Sequence, residues 1–244
     1  MGNLARRSRY LLVVTVAAIA GCGGVATQPT SSPSATATSA ADQASVEQIT
    51  LTAADLRPLT IPASEWTVVD EGALPVTAAT QPGCLTHVPK YTAAYGREFS
   101  YGLNAAGLEA GHGEIIVEAA QSAAAITLAQ AEVATTTYQA CYETDQIRGY
   151  LGGHAGVTMT GATTRQLETI SIGVPDVTMT FTTPFKFQNQ AKVDYTVVSW
   201  TSFDRYRVVS WVQTCCGRPK IADVSVDLLV IAQRMQAAAT RQAQ

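Results

Sequence analysis

Apolar and polar positions alternate along much of the second half of the chain. In segments of four to eight residues, β-branched or aromatic side chains recur at every second position, which is typical of strands with one buried face. The segments follow one another too closely for helical crossovers, so the sheet is expected to be mainly antiparallel. The strands predicted in this way are residues 157–160, 169–172, 177–181, 193–200 and 206–213, with two earlier strands at 66–70 and 114–119.

Two longer segments have the period of a helix instead. After Ser122, a residue suited to cap a helix, apolar side chains recur on one face as far as Cys141. After Asp223, a second apolar stripe runs from residue 224 to residue 238. The sequence therefore predicts an α+β domain, a mainly antiparallel sheet with two principal helices packed on one face and stabilised by disulfides.

The first 22 residues have a different pattern. Arg6, Arg7 and Arg9 precede an apolar run at residues 10–19, which is typical of a secretory signal peptide and too short to span a membrane. The run ends in Ile-Ala-Gly-Cys, which resembles a bacterial lipobox. That resemblance implies removal of residues 1–21 and lipid attachment at Cys22. The alternative is an ordinary signal peptide with a chance cysteine at its end.

The segment after Cys22 lacks the residues that build a core. Residues 26–45 contain nine Ser or Thr, two Pro and no large aliphatic side chain. Such a segment cannot offset its ordering entropy by burial. Residues 22–45 are therefore predicted to be a disordered tether, and residues 46–244 a single globular domain held at the extracytoplasmic face of the cell membrane by acyl chains.

Composition and charge narrow the possible partners. The chain has 244 residues, of which 47% are hydrophobic and 14% charged, enough for one sizeable core. The chain has 16 basic and 19 acidic residues. Cleavage after residue 21 would remove three arginines, so 13 basic and 19 acidic residues would remain, a net charge of −6. Nucleic acid is excluded as an expected partner, because no basic face concentrates in the sequence.

Four cysteines remain after Cys22, in a compartment where disulfides persist. Cys84 ends a predicted turn and Cys141 lies on the buried side of the first long helix, so a bridge between them is predicted to hold that helix to the sheet. For the adjacent Cys215 and Cys216, three arrangements stay open. They are a vicinal disulfide, two crossed bridges to Cys84 and Cys141, and a surface thiol paired with a partner chain.

Catalytic and metal-binding motifs are absent from the sequence. The three histidines are 25 and 42 residues apart, without a zinc-ligand spacing, and no nucleophile elbow or phosphate-binding loop occurs. No catalytic residue, metal or cofactor is therefore predicted. His112 with Glu114 is the one candidate acid–base pair. Trp200 and Trp211 lie on strands expected to pair, where they either line a cleft or pack in the core.

The order of these features resembles actinobacterial surface lipoproteins, including mycobacterial ones. The resemblance covers roughly residues 50–238 and depends on the lipobox, the tether, the turn that ends in Cys84, the helix with Cys141 and the terminal hairpin and helix. The globular part is similar to the extracellular sensor domain of PknH-type serine/threonine kinases. This implies a disulfide-stabilised sheet with helices around a cleft for an unidentified ligand. The adjacent Cys215 and Cys216 depart from the pattern.

These observations predict a non-enzymatic, lipid-anchored envelope protein. Its domain is expected to bind a cell-wall or lipid component, or another surface protein. One alternative is a surface hydrolase or thiol-redox enzyme that uses His112 with Glu114, or Cys215 with Cys216. Another is a structural or adhesive surface antigen without a small ligand.

Overall fold

An eight-stranded antiparallel sheet forms the centre of the protein. The structure is a computed structural model and describes residues 40–56, 66–76, 83–103, 109–215 and 217–242. The strands are β1 Trp66–Ala73, β2 Tyr91–Leu103, β3 Glu109–Ala120, β4 Val157–Met159, β5 Thr164–Glu168, β6 Asp176–Phe187, β7 Gln190–Phe203 and β8 Tyr206–Cys215. They follow the order β1-β2-β3-β8-β7-β6, and both β4 and β5 pair with β6. The predicted α+β class with an antiparallel sheet is confirmed.

Two tight turns set the register of the central strands. Gln188 and Asn189 join β6 to β7 with φ angles of 50° and 64°, the left-handed pair that a two-residue hairpin needs. Asp204, with φ 52°, begins the turn between β7 and β8, at the position predicted from the sequence. Each turn connects strands of ten or more residues, so it fixes which side chains share a face over most of the sheet.

Side-chain caps divide the helical segment that follows β3. The Ser122 side chain accepts a hydrogen bond from the Ala125 N–H, which confirms Ser122 as the N-cap of α2. The Thr135 side chain caps α3 by accepting from the Tyr138 N–H, so the predicted single helix is two helices and continues through a π-helical turn. The helices are α1 Ala40–Ile49, α2 Ala123–Val133, α3 Thr136–Tyr142, the π-helical turn Glu143–Arg148, α4 Gly149–Gly152 and α5 Ile221–Gln242.

The two principal helices lie on opposite faces of the sheet, so the prediction that both pack on one face is wrong. Val197 and Val208 face a core that contains residues of α1 and α5. Val198 and Val209, one position along each strand, face a second core built with α2, α3 and the π-helical turn. Consecutive strand residues point to opposite faces. Adjacent valines in both central strands therefore require that both faces be covered.

Three local predictions also need correction. Residues 169–172 do not form a strand; the strand is β5, and Ile172 instead packs in the α1–α5 core. The long strand β2 was not predicted. The helix α1 begins at Ala40, so the last six residues of the predicted tether are helical, and the buried Asp42 forms an ion pair with Arg205 in the β7–β8 turn.

A buried ion pair lies beneath α2. Glu118 on β3 and Arg207 on β8 are register partners, and their side chains are 0% and 1% exposed. Arg207 Nη2 and Nε donate to Glu118 Oε2 at 2.7 and 2.8 Å. The Arg207 guanidinium also lies over the Tyr91 ring, 5.5 Å from its centroid. Burial, followed by the charge of Glu118, raises the pKa of the Tyr91 hydroxyl.

None of the helices in the described ranges is long and apolar enough to cross a membrane.

Candidate functional site

A cluster of chemically active side chains lies on the α2 face of the sheet, at the end away from the β7–β8 turn. His112 and Glu114 on β3 lie beside Gln213 and Trp211 on β8, and Glu98 on β2 is opposite Glu114. Residues two apart on a strand share a face, so the register places these side chains side by side. We call His112, Glu98, Glu114, Trp211 and Tyr150 the distal cluster.

Two carboxylates in the cluster have defined contacts. His112 Nε2 lies 2.9 Å from Glu98 Oε1, and these side chains are 19% and 39% exposed. The Trp211 indole N–H donates to Glu114 Oε2 at 2.9 Å. The His112 ring lies against Trp211, with their centroids 5.1 Å apart. His112 and Glu114, which the sequence singled out as a pair, thus lie on one face of β3, and Glu98 is a further carboxylate in contact with His112.

The helical segment after α3 also contributes an aromatic side chain to the distal cluster. Tyr150 in α4 meets Trp211 edge-on at 6.2 Å, and His154 packs on Tyr150 at 4.4 Å. The π-helical turn immediately precedes α4, which contains Tyr150, and such turns are frequent at functional sites. The cluster thus combines acceptors from the sheet with aromatic rings from two elements.

Asp194 lies on β7 at the same end of the sheet and is 3% exposed. Thr196 Oγ1 and Gln213 Nε2 each donate to its carboxylate at 2.9 Å. Burial raises the pKa of Asp194 to about 6, although the two hydrogen bonds and the charge of His154 act in the opposite direction. Asp194 is therefore a carboxyl group that titrates close to neutral pH beside the cluster.

The two tryptophans proposed as cleft residues lie in different surroundings. Trp200 is fully buried and packs edge-on against Tyr138 and Tyr142, 5.6 and 4.9 Å away. It is a core residue. Trp211 is 9% exposed and borders the distal cluster. The two rings do not line one cleft.

The disulfide predicted between Cys84 and Cys141 is present, with their Cα atoms 5.7 Å apart. It joins the segment before β2 to α3. The same segment is held by Glu132 in α2, which accepts hydrogen bonds from the backbone N–H groups of Thr86 and His87. Burial alone would raise the pKa of Glu132, but these hydrogen bonds lower it to about 2.

The disulfide also bears on metal binding. Cys84, Cys141 and Asp145 form a group of potential metal ligands within the described ranges. Both sulfurs belong to the disulfide, so the oxidised protein has no thiolate to offer there.

Several predicted sites fall outside the described residues. These include the signal peptide, the lipid attachment at Cys22, residues 22–39 of the tether, and Cys216. The backbone of Cys215 ends β8 and pairs with Asp194, but its side chain is not among those described. The lipid anchor and the three arrangements for Cys215 and Cys216 therefore stay predictions.

Comparison with family models and with curated proteins finds no match. Among solved structures, the chain is similar to the extracellular domain of PknH from Mycobacterium tuberculosis, with a TM-score of 0.42 and 11% sequence identity. The match covers 79% of this chain and 95% of that chain. The extracellular domain named in the sequence resemblance is thus a structural neighbour of this chain.

Proposed function

We propose that this protein is a lipid-anchored, non-enzymatic envelope protein whose extracytoplasmic domain binds a polar cell-wall component at the distal cluster. The arrangement of Glu98, His112, Glu114 and Trp211 carries this proposal. It places two carboxylates and an aromatic ring together on one face of a rigid sheet. The lipobox at Cys22 and the predicted tether support the location of the domain.

The chemistry of the cluster suits a ligand rich in hydroxyl or amide groups. Carboxylates accept hydrogen bonds from such donors, and charge-assisted bonds are shorter and stronger than neutral ones. Glu98 is accessible to such a ligand, because its side chain is 39% exposed. Sites of this kind combine aromatic surface with a few polar groups that fix the orientation of the ligand. Cell-wall glycans and their peptide branches offer these donors.

The cluster lies far from the point where the tether joins the domain. Asp42 in α1 pairs with Arg205, next to the register pair Ala119 and Tyr206. The cluster pair His112 and Gln213 lies seven residues further along the same two strands. Seven residues of antiparallel strand span about 24 Å. The domain would therefore present the cluster at the end opposite its attachment.

Native mass spectrometry of the exported protein with solubilised peptidoglycan fragments tests the proposal, with a lipid extract as the parallel probe. We expect a bound fragment, and at least a tenfold loss of affinity in Glu98→Gln. The matched control is Glu71→Gln, whose side chain is 47% exposed on the neighbouring strand β1 and pairs with Arg97.

Equal binding by both variants, or no binding of any fragment, would refute the proposed site. Conversion of a fragment to smaller products would favour the hydrolase alternative instead.

A further inference from the structure

The outer surface of α2 is mostly apolar and is uncovered among the described residues; the exposed Thr127 donates its hydroxyl to the Ala123 carbonyl of the same helix. Leu128 is 56% exposed and Val88, in the segment held against α2 by Glu132, is 50% exposed. Ala124 and Ala131 are exposed on the same face as Leu128, at helical spacings of four and three residues. We call Val88, Ala124, Leu128 and Ala131 the α2 patch.

The helix that carries most of the patch is nearly free of charge, while the segment with Val88 also contains the exposed Lys90. Residues 119–141 contain one charged side chain, Glu132, which is turned toward Thr86 and His87 and is 15% exposed. The solvent-facing side of a surface helix usually carries charged and polar residues. An uncharged outer face on a chain of net negative charge therefore marks a surface that contacts something apolar.

The α2 patch lies at the end of the domain where the tether joins. The Ala120 N–H donates to the Arg205 carbonyl in the β7–β8 turn, and Arg205 pairs with Asp42 at the start of α1. At the other end of α2, Gln130 Nε2 donates to the carbonyl of Trp200, three residues before the end of β7. Three strand residues span about 10 Å, so α2 crosses the sheet close to the tether end throughout its length.

We propose that the α2 patch rests on the surface of the lipid bilayer to which Cys22 is anchored. This inference depends on the lipid anchor of the proposed function. A predicted tether of 17 residues, from 23 to 39, separates the anchor from α1, and a coil of that length spans about 23 Å. The patch is therefore held within reach of the acyl chains, and an apolar helix face at that position lies in the membrane interface. Docking there would leave the distal cluster at the far end of the strands.

Quenching of tryptophan fluorescence by brominated lipids tests this contact. The full lipidated chain is reconstituted into neutral phosphatidylcholine vesicles, and the wild-type signal of Trp66, Trp200 and Trp211 is subtracted. We expect at least twofold quenching of the added tryptophan in Leu128→Trp, independent of salt. Val88→Trp should behave in the same way, so the test does not depend on one variant.

Leu167→Trp is the matched control, because Leu167 is 65% exposed on the edge strand β5 and lies outside the patch. If the protein floats with the vesicles but Leu128→Trp and Leu167→Trp are quenched equally, the docking surface is wrong while the anchor stands. If the protein instead has twice the mass of one chain and the added tryptophan is not quenched, the α2 patch contacts a second copy of the chain and not the bilayer. If the protein does not float with the vesicles, the anchor fails, and the docking proposal fails with it.

Discussion

Removal of one partner of the buried ion pair between Glu118 and Arg207 should destabilise the domain strongly. Glu118→Gln keeps the shape of the side chain but leaves the Arg207 guanidinium without its counter-charge. Both side chains are almost fully buried, so water cannot replace the lost carboxylate. A buried charge that loses its partner typically costs about 3–5 kcal/mol.

The surroundings of Arg207 do not compensate for the loss of its counter-charge. The Tyr91 ring, 5.5 Å from the guanidinium, offers a weak attraction that cannot compensate for a full charge. The two hydrogen bonds of 2.7 and 2.8 Å would also change from bonds between two ions to bonds in which only the guanidinium is charged. For a chain of this size, each kcal/mol shifts the melting temperature by about 2–4 °C. The expected decrease in melting temperature is therefore about 6–20 °C.

Differential scanning calorimetry of a double-mutant cycle measures the effect. The double variant Glu118→Gln with Arg207→Met removes both charges, and it should recover most of the stability because no buried charge is left unpaired. Glu71→Gln is the control. It breaks a pair in which the carboxylate is 47% exposed, and it should cost less than about 1 kcal/mol. A Glu118→Gln variant within about 1 kcal/mol of wild type, or a double variant no more stable than the single one, would refute the reasoning.

Three further predictions follow from other parts of the structure. Replacement of Cys84 and Cys141 by serine should lower the free energy of unfolding in urea by about 4 kcal/mol, because the bridge closes a loop with a sequence separation of 57; a loss below 1 kcal/mol would contradict this. The pKa of Asp194 is raised from 3.8 to about 6, so its contribution to stability is complete below about pH 4 and is lost as the pH rises through 6. Asp194→Asn should remove about 1 kcal/mol of the stability difference between pH 5 and pH 7.5 in urea titrations, and an unchanged difference would count against the shift. The double variant Gln188→Asn with Asn189→Gly should raise the free energy of unfolding by about 1 kcal/mol, because these residues tolerate the left-handed turn better; a melting temperature at or below that of wild type would exclude this explanation.

The sheet was largely predictable because its strands carry a local signal. Alternation of polar and apolar residues located β4, β6, β7 and β8, and the short segments 66–70 and 114–119 located β1 and β3. In β2 the same signal is present at Ala93, Tyr95 and Phe99 but is obscured, because Ala94 and Gly96 are buried on the opposite face. A strand with two covered faces loses the alternation that identifies it.

The placement of the helices was less predictable, because it depends on both faces of the central strands together. The stripe on each helix shows which side is buried, but not which face of the sheet receives it. The adjacent valines at 197–198 and 208–209 were the available signal for two covered faces. The extension of α1 into the predicted tether depends on the long-range pair of Asp42 with Arg205, which no local pattern contains.

The candidate site was only partly visible in the sequence. His112, Glu114 and Trp211 could be singled out by residue type. Glu98 could not be singled out, because it lies on β2, a strand that was not predicted, and only the register of β2 with β3 places it beside the cluster. Tyr150 contacts Trp211 because of the helical turns that follow α3. Glu98 and Tyr150 are separated in sequence from the other cluster residues, and only strand register and helix packing in the folded chain bring them together.

The most direct test of the account is native mass spectrometry of the intact protein, extracted from membranes in mild detergent. We expect a chain that begins at Cys22, carries two or three acyl chains, retains the 84–141 disulfide and binds a cell-wall fragment that Glu98→Gln fails to bind. A chain with an unmodified N-terminus and free thiols at Cys84 and Cys141 that binds no fragment would contradict the account.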